Sequence, residues 1–150
     1  MRSKERYLQN ILFENLVEKT NKLIVPNVKL YWWESDLISV SNSDLVTEIE
    51  IKSSRQDFLQ DFKKKKHSYF IKNRIDKIPS YFYYAVDSHI LKLKELPRYA
   101  GLIYVKSNKI KIIKRASRLH NLRIDKRRRE YLERGLMFRY WKLRKSKKGR

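Results

Sequence analysis

The residues of this chain that could do chemistry are two carboxylates and a lysine in one short stretch. Asp36, Glu50 and Lys52 form the pattern Asp-x13-Glu-x-Lys. Carboxylate oxygens are the ligands that a hard cation such as Mg²⁺ prefers, and an ammonium stabilises negative charge that develops on a phosphate. The pattern is therefore that of a metal-dependent phosphodiesterase, although a pattern this short also occurs by chance at the edges of sheets.

Two predicted strands joined by a turn position these side chains. The first strand covers 37–40, directly after Asp36, and the second covers 45–52; the intervening Ser-Asn-Ser-Asp at 41–44 has the composition of a hairpin turn. Side chains alternate between the two faces of a strand. The second strand has one largely apolar face and one charged face: Thr47, Ile49 and Ile51 against Glu48, Glu50 and Lys52.

The surrounding pattern indicates an α/β domain. The second strand leads into a predicted helix over 57–71, another helix is predicted from Ser3 to about Lys19, and further strands are predicted elsewhere: 22–33, 81–86, 101–105 and 109–114. A central strand of such a domain is usually covered on both faces. We therefore expect the charged face of the second strand to lie in a cleft, where charges need a metal ion or one another as partners.

The segment 46–61, VTEIEIKSSRQDFLQD, is similar to the core EIKSS-x-x-DF-x-x-D of a known family, and the similarity continues in the same order through 83–86 and 97–103. On these segments, within roughly half of the chain, the protein resembles the PD-(D/E)XK nuclease superfamily and, within it, the MmcB-like DNA repair nucleases. The resemblance implies a restriction-endonuclease-like core, with a central mixed β-sheet of about four to five strands flanked by helices.

The resemblance also implies a Mg²⁺-dependent DNA endonuclease that acts in DNA repair, recombination or the processing of structured DNA. Asp36, Glu50 and the backbone carbonyl of Ile51 would hold Mg²⁺, with Mn²⁺ as a substitute, and Lys52 would position or activate the attacking water. The sequence leaves open whether a further carboxylate joins the metal site: Glu14, Glu34 or Glu48.

The strong positive charge predicts a polyanionic partner. The chain has 37 Lys and Arg against 16 Asp and Glu, a net charge of +21. Of these, 19 basic residues but only three acidic residues lie between 106 and 150. We predict that the partner is DNA, contacted largely through its phosphates and without sequence specificity. The candidate contact residues are Lys63, Lys64, Lys65, Lys66, Arg127, Arg128, Arg129, Lys142, Arg144 and Lys145.

We expect two parts, a nuclease-like domain over 1–117 and a basic helical extension over 118–150 that binds nucleic acid. The sequence of the extension predicts a helix over 123–133, a break near Gly135, a further helical turn or two, and disorder in 145–150. Its aromatic residues are available either to pack on the sheet or to stack on unpaired bases. They are Tyr131, Phe138, Tyr140 and Trp141.

Composition also argues against several classes of protein. No cysteine is present, which excludes disulfides and thiolate metal sites, and three glycines form no phosphate-binding loop, so we expect no nucleotide cofactor. No apolar run reaches the roughly 18 to 20 residues of a membrane span, so we expect a soluble, cytoplasmic protein. The alternative function is a non-catalytic DNA- or RNA-binding protein that acts through the basic extension. A homodimer, which a resolvase of branched DNA would need, stays open.

Overall fold

The computed structural model describes residues 2–17, 21–61, 63–64, 66–87 and 90–148. Among them, six strands form one sheet, in the order in which they follow one another along the chain. The strands are β1 (Asn21–Val28), β2 (Ser35–Ser41), β3 (Val46–Lys52), β4 (Tyr81–Asp87), β5 (Ala100–Lys106) and β6 (Lys109–Lys114). β3, β4 and β5 run parallel and the other neighbours are antiparallel. The predicted mixed α/β sheet is confirmed in this coarse form.

The sheet of the described residues has six strands rather than the four to five expected, because each predicted strand segment joins it, including both edges. β1 and β6 are the edge strands. β1 contains Pro26, which has no N–H for a ladder and so belongs at an edge, and β6 is lysine-rich and half-exposed to exposed. The predicted strand over 22–33 ends at Val28, which makes the last pair of the β1–β2 ladder with Ser35.

Helices cover both faces of the sheet. α1 (Arg2–Leu16) packs on one face, where Leu8, Ile11 and Leu12 join the apolar side of β2, β3 and β5. α2 (Arg55–Asp61) and α3 (Lys66–Ile71) supply side chains to the apolar cluster formed with β4 and β5. The single helix predicted over 57–71 is therefore wrong. A turn at 63–64 separates the two helices and sends the start of α3 toward the interior.

The C-terminal segment forms one continuous helix, α4 (Lys126–Lys148). The predicted break near Gly135 is wrong, because the position of a Cβ there is open and a single glycine costs a helix only about 1 kcal/mol. The predicted disorder is also wrong for 145–148, which is helical, while 149–150 lies outside the described residues. No helix within the described ranges combines the length and apolar character that a bilayer span requires.

The extension over 118–150 is attached to the sheet. The N–H of Leu119 donates to the carbonyl of Ser80 at 2.8 Å, and that of Ile124 donates to Asp44 at 2.7 Å. Leu132 of α4 is only 1% exposed and packs in an apolar cluster with β1, β2 and β3. The expected boundary after residue 117 therefore lies within a packed unit, and removal of 118–150 would uncover part of the core.

Candidate active site

The β2–β3 hairpin brings Asp36 and Glu50 to adjoining positions. Leu37 pairs with Ile49 in this antiparallel ladder, so the next step of the register sets Asp36 opposite Glu50. Asp36 Oδ2 accepts a hydrogen bond from the backbone N–H of Ile51 at 2.8 Å. The sequence pattern alone predicted this approach, because turn length and strand period fix the register.

The charged face of β3 is buried, as the covering of a central strand predicts. Glu48, Glu50 and Lys52 are 0%, 3% and 7% exposed. Asp61, Lys66 and His67 of the α2–α3 segment lie against this face and are buried as well. Six ionisable side chains thus meet on the face of the sheet that α2 and α3 cover.

Lys52 is held between two carboxylates. Its Nζ donates to Asp61 Oδ1 at 2.9 Å and lies 3.4 Å from Glu50 Oε2. Burial by itself lowers the pKa of Lys52, but Glu50 and Asp61 outweigh burial and raise the pKa above its ordinary value. Lys52 therefore stays an ammonium at neutral pH, which suits it to charge stabilisation and to positioning of water rather than to removal of a proton.

Lys66 is a second buried ammonium. The prediction from the sequence that Lys66 contacts phosphate at the surface is therefore wrong. Its Nζ lies 3.2 Å from Glu50 Oε1 and 3.6 Å from Glu48 Oε2. Burial lowers the pKa of Lys66, and the two glutamates raise it by more. Of the other predicted lysines in this run, Lys63 and Lys64 are exposed and Lys65 lies outside the described residues.

Asp61 connects the two ammonium groups to an aromatic network that sequence reasoning missed. Its Oδ2 accepts a hydrogen bond from the Tyr84 hydroxyl at 2.7 Å and lies 2.6 Å from His67 Nε2. Burial raises the pKa of Asp61, but His67, Lys66 and Lys52 together hold it well below its usual range. Asp61 thus keeps its negative charge. The signal for it was present, since Asp61 closes the family-like segment over 46–61.

The buried cluster carries an excess of negative charge. Burial, then Glu50, raises the pKa of Asp36 to about 8, and burial raises that of Glu48 to about 7 against the opposing effect of Lys66. When all are ionised, four carboxylates meet two buried ammonium groups: Asp36, Glu48, Glu50 and Asp61 against Lys52 and Lys66. The exposed ammonium of Lys64 lies 3.2 Å from Asp61 Oδ1, so carboxylates still outnumber ammonium groups, and a divalent cation would balance the excess.

The donor atoms also fit such a cation. Two carboxylates and a main-chain carbonyl, from Asp36, Glu50 and Ile51, are hard oxygen donors, and Mg²⁺ binds through few protein ligands while it keeps several waters. Glu50 Oε1 is buried and has Lys66 Nζ nearby, yet it makes no hydrogen bond of regular geometry with a described residue. Within the described ranges, no group of three or more His, Cys, Asp or Glu side chains is arranged as a metal site. Asp36 and Glu50 are the two candidate side-chain ligands.

The carboxylates that the sequence left open have different positions. Glu14 is exposed on α1, and Glu48 Oε2 accepts hydrogen bonds from Trp33 and Ser35, each at 2.8 Å, inside the protein. Glu34 lines a polar cavity of about 330 Å³. Gln9, which lines the same cavity, donates to the backbone carbonyl of Asp36 at 2.8 Å, so the cavity lies beside the backbone at Asp36.

The same cavity contains another carboxylate of α1, that of Glu5. Glu5 lines it and contributes to the raised pKa of Asp36, after burial and Glu50. Glu5 and Gln9 are four residues apart and therefore lie on one face of α1. If a helix carboxylate takes part in the site, its position favours Glu5 over Glu14.

The predicted basic residues of α4 fall into two groups. Arg128 donates to the carbonyl of Asp76 at 3.1 Å, and its Cζ lies 5.1 Å from the centre of the Tyr31 ring. Arg129 lies 3.6 Å from Asp44 Oδ1. These two arginines fix the start of the helix to the rest of the protein. The remaining predicted residues of α4 are exposed: Arg127, Lys142, Arg144 and Lys145.

Comparison with known proteins establishes the fold but no activity. No protein-family description and no curated protein matches the sequence. The structure is similar to a solved protein of unknown function from Silicibacter pomeroyi, with a TM-score of 0.68 and 20% sequence identity. The similarity covers 91% of this chain and 88% of the other. At this identity the likeness shows a shared fold over nearly the whole chain.

Proposed function

We propose that this protein is a metal-dependent deoxyribonuclease with a restriction-endonuclease-like core, which hydrolyses phosphodiester bonds in DNA. The observation that carries the proposal is the position of Asp36 opposite Glu50 across the β2–β3 hairpin, beside the ammonium of Lys52 in a buried cluster that has more carboxylates than ammonium groups. The net charge of +21 supports DNA as the substrate. Repair, recombination or the processing of structured DNA is the proposed context.

Five residues of the site have distinct proposed roles. Asp36, Glu50 and the carbonyl of Ile51 would hold Mg²⁺ or Mn²⁺, and the ion would supply polarisation of the scissile phosphate and activation of water. Lys52 stabilises the negative charge that develops on the phosphate. Asp61 is a positioning residue, because its 2.9 Å hydrogen bond holds the ammonium of Lys52.

A panel of single-stranded, duplex, flapped, mismatched and four-way DNA tests the proposal. We expect cleavage with Mg²⁺ or Mn²⁺, little with Ca²⁺, and none in excess chelator. Glu50→Gln should abolish cleavage, and Lys52→Ala should slow it by on the order of 10² or more while DNA binding persists. Glu14→Gln is the matched control, since it removes an exposed carboxylate and should leave the rate unchanged.

Two results would reject the proposed activity. One is full cleavage in chelator, and the other is a Glu50→Gln protein that cuts as fast as Glu14→Gln. A protein in which Lys52→Ala loses binding and cleavage equally would instead reject only the role proposed for Lys52. Its effect would then lie in affinity rather than in the transition state.

A second candidate is a non-catalytic nucleic-acid-binding protein that acts through the basic residues of the C-terminal extension. One observation favours it: the ammonium of Lys52 is held inside by Asp61 and Glu50 rather than directed to solvent. This candidate predicts tight, salt-dependent binding of DNA or RNA and no cleavage of any substrate in the panel with any metal.

If the nuclease is a resolvase of branched DNA, it would also require a homodimer. Sedimentation measures the oligomeric state directly.

A further inference from the structure

The outward face of α4 carries basic and aromatic residues along a single line. Six residues recur at alternating intervals of four and three: Arg127, Tyr131, Arg134, Phe138, Trp141 and Lys145. Residues three and four apart lie on one face of an α-helix. All six are exposed, and we refer to them as the α4 stripe. The rings of Tyr131, Phe138 and Trp141 are 52%, 58% and 48% exposed.

The opposite face of α4 attaches the helix to the protein. Leu132 is buried and Leu136 is half-buried in the apolar cluster with β1 and β2. The guanidinium of Arg139 donates to the carbonyls of Pro26 and Asn27 at the end of β1, the latter at 2.6 Å. Packing on the sheet is therefore the role of the leucines. Tyr131 lines a cavity at the start of α4 together with Leu30 and Tyr31, while Phe138 and Trp141 are exposed further along the helix and are available to a partner.

Rings and cations are already adjacent on this surface. The Cζ of Arg134 lies 5.4 Å from the centre of the Phe138 ring, and that of Arg144 lies 5.2 Å from the centre of the Trp141 ring. A positive charge held beside an exposed ring matches a ligand that combines a negative charge with a flat apolar group. A nucleotide has both, in its phosphate and its base.

We infer that the α4 stripe binds DNA with unpaired bases. In a duplex the base faces are stacked on one another and only the base edges are accessible in the grooves, so the exposed rings would have nothing to stack on; unpaired bases offer their faces. The cations along the same line meet the phosphates. At about 1.5 Å per residue the stripe is about 27 Å long, enough for several nucleotides. The inference rests on the proposed function for the choice of DNA, and names single-stranded segments as its preferred substrate.

The charge of the stripe disfavours other occupants. Its four-three spacing is also that of a coiled-coil seam, but three of its six positions are cations, which would meet cations in a second copy of α4. A helix that lies in a membrane surface collects its apolar residues on one face and its cations on the other. Here the two kinds alternate along one line. The stripe is therefore complementary to a polyanion that also presents flat apolar surfaces.

The test is binding without cleavage, in the full-length Glu50→Gln background and in chelator. Fluorescence anisotropy would compare a labelled single-stranded oligothymidine with a duplex of equal length. We expect Phe138→Ala and Trp141→Ala each to weaken single-strand binding by on the order of 10-fold, since one stacked base contributes about this much. Duplex binding should change by less than about 2-fold, and the salt dependence of either should stay the same because no charge is removed.

Two control variants accompany the aromatic ones. Tyr7→Ala removes an aromatic residue of α1 that is 52% exposed, like Tyr131, but lies outside the stripe, and it should leave single-strand binding unchanged. Trp141→Phe keeps a ring and should retain most of the affinity. Circular dichroism and thermal unfolding would establish that every variant is folded, as expected for exposed positions on a helix face.

Equal weakening of single-strand and duplex binding, or no weakening at all, would overturn the inference. So would a dimer that Trp141→Ala converts to a monomer in sedimentation, because a second copy would then cover the stripe. Stronger binding to phosphatidylserine vesicles than to the oligonucleotide would overturn it in favour of a membrane surface. None of these outcomes depends on cleavage, so failure of the proposed nuclease activity is observed separately, in the substrate panel.

Discussion

Basic and aromatic side chains occur in two opposite environments in this protein. Beneath α2 and α3, Lys52 and Lys66 are almost fully buried, and each has a carboxylate oxygen within 3.2 Å. On the surface of α4, Arg134 and Arg144 are exposed and lie beside aromatic rings. The difference follows from desolvation, which costs several kcal/mol for each buried ion and therefore forces pairing only in the interior.

The two regions should respond differently to salt and to mutation. Surface charges are screened beyond about 8 Å at physiological ionic strength, whereas buried pairs are screened much less. Loss of one buried partner leaves another charge unpaired, while loss of one exposed cation removes little except an attraction for anions. The interior cluster should thus set stability and chemistry, and α4 should set affinity for nucleic acid.

The largest expected effect is a loss of stability on mutation of one buried lysine, and a second lysine close in sequence serves as its control. Lys66→Ala removes the ammonium that faces Glu48 and Glu50, and we expect it to lower the free energy of unfolding by about 3 to 5 kcal/mol. Lys64→Ala is the matched control. Lys64 is 57% exposed and only 3.2 Å from Asp61, so its loss should cost about 1 kcal/mol or less.

Urea unfolding of the two variants in one buffer measures the difference. Equal losses would mean that burial of Lys66 contributes nothing beyond a surface ion pair, and the contrast between interior and surface would fail. A folded Lys66→Ala protein that regains stability on addition of Mg²⁺ would strengthen the contrast between interior and surface. A cation that binds only the native state stabilises that state.

The lysine pair also shows what could not be predicted from the sequence. Four consecutive lysines on a presumed single helix gave no means to distinguish Lys66 from Lys64, since neither periodicity nor composition differs between them. The turn at 63–64 decides which one enters the interior. That turn depends on the tertiary fit of α2 and α3 to the sheet, which local propensity does not encode.

Other features of the fold could be predicted because they follow from the repeat period of a strand or a helix. The alternation of β3 and the turn before it predict the convergence of Asp36 on Glu50, and the same logic identifies the strands of the sheet. The sequence also indicates that α4 is one continuous helix. Leu132, Leu136 and Leu143 recur at helical spacing across Gly135, a signal that outweighs the low helix propensity of one glycine.

An intermediate effect is expected on the pH dependence of stability. The pKa values of Glu48 and Asp36, about 7 and about 8, lie above the ordinary values of these groups, so the folded state binds more protons than the unfolded state between about pH 4 and pH 8. Stability contributed by these groups therefore falls as pH rises through this range. Asp61 acts oppositely, because its lowered pKa gives stability that is lost as pH falls below about 4.

Urea unfolding at a series of pH values from 5 to 8 tests this dependence. Glu48→Gln should flatten the decline, because an amide keeps the shape of the side chain and does not titrate. Glu130→Gln, at an exposed position on α4, should leave the decline as it is. Stability that rises through the same range in the unmodified protein would contradict the assignment of excess negative charge to the buried cluster.

The smallest expected effect comes from single cations of α4. Lys142 is exposed, and Lys142→Ala should change the free energy of unfolding by no more than about 0.5 kcal/mol. It should nevertheless flatten the plot of log affinity for DNA against log salt by somewhat under one unit, since one phosphate contact and its released counterion are lost. Lys106→Ala, an equally exposed lysine at the end of β5, is the control and should leave the slope unchanged. If both variants flatten the slope equally, the charge of α4 has no special role and DNA is attracted by the whole basic surface; if only Lys142→Ala does, affinity resides on α4 and is separable from the buried cluster that would cut.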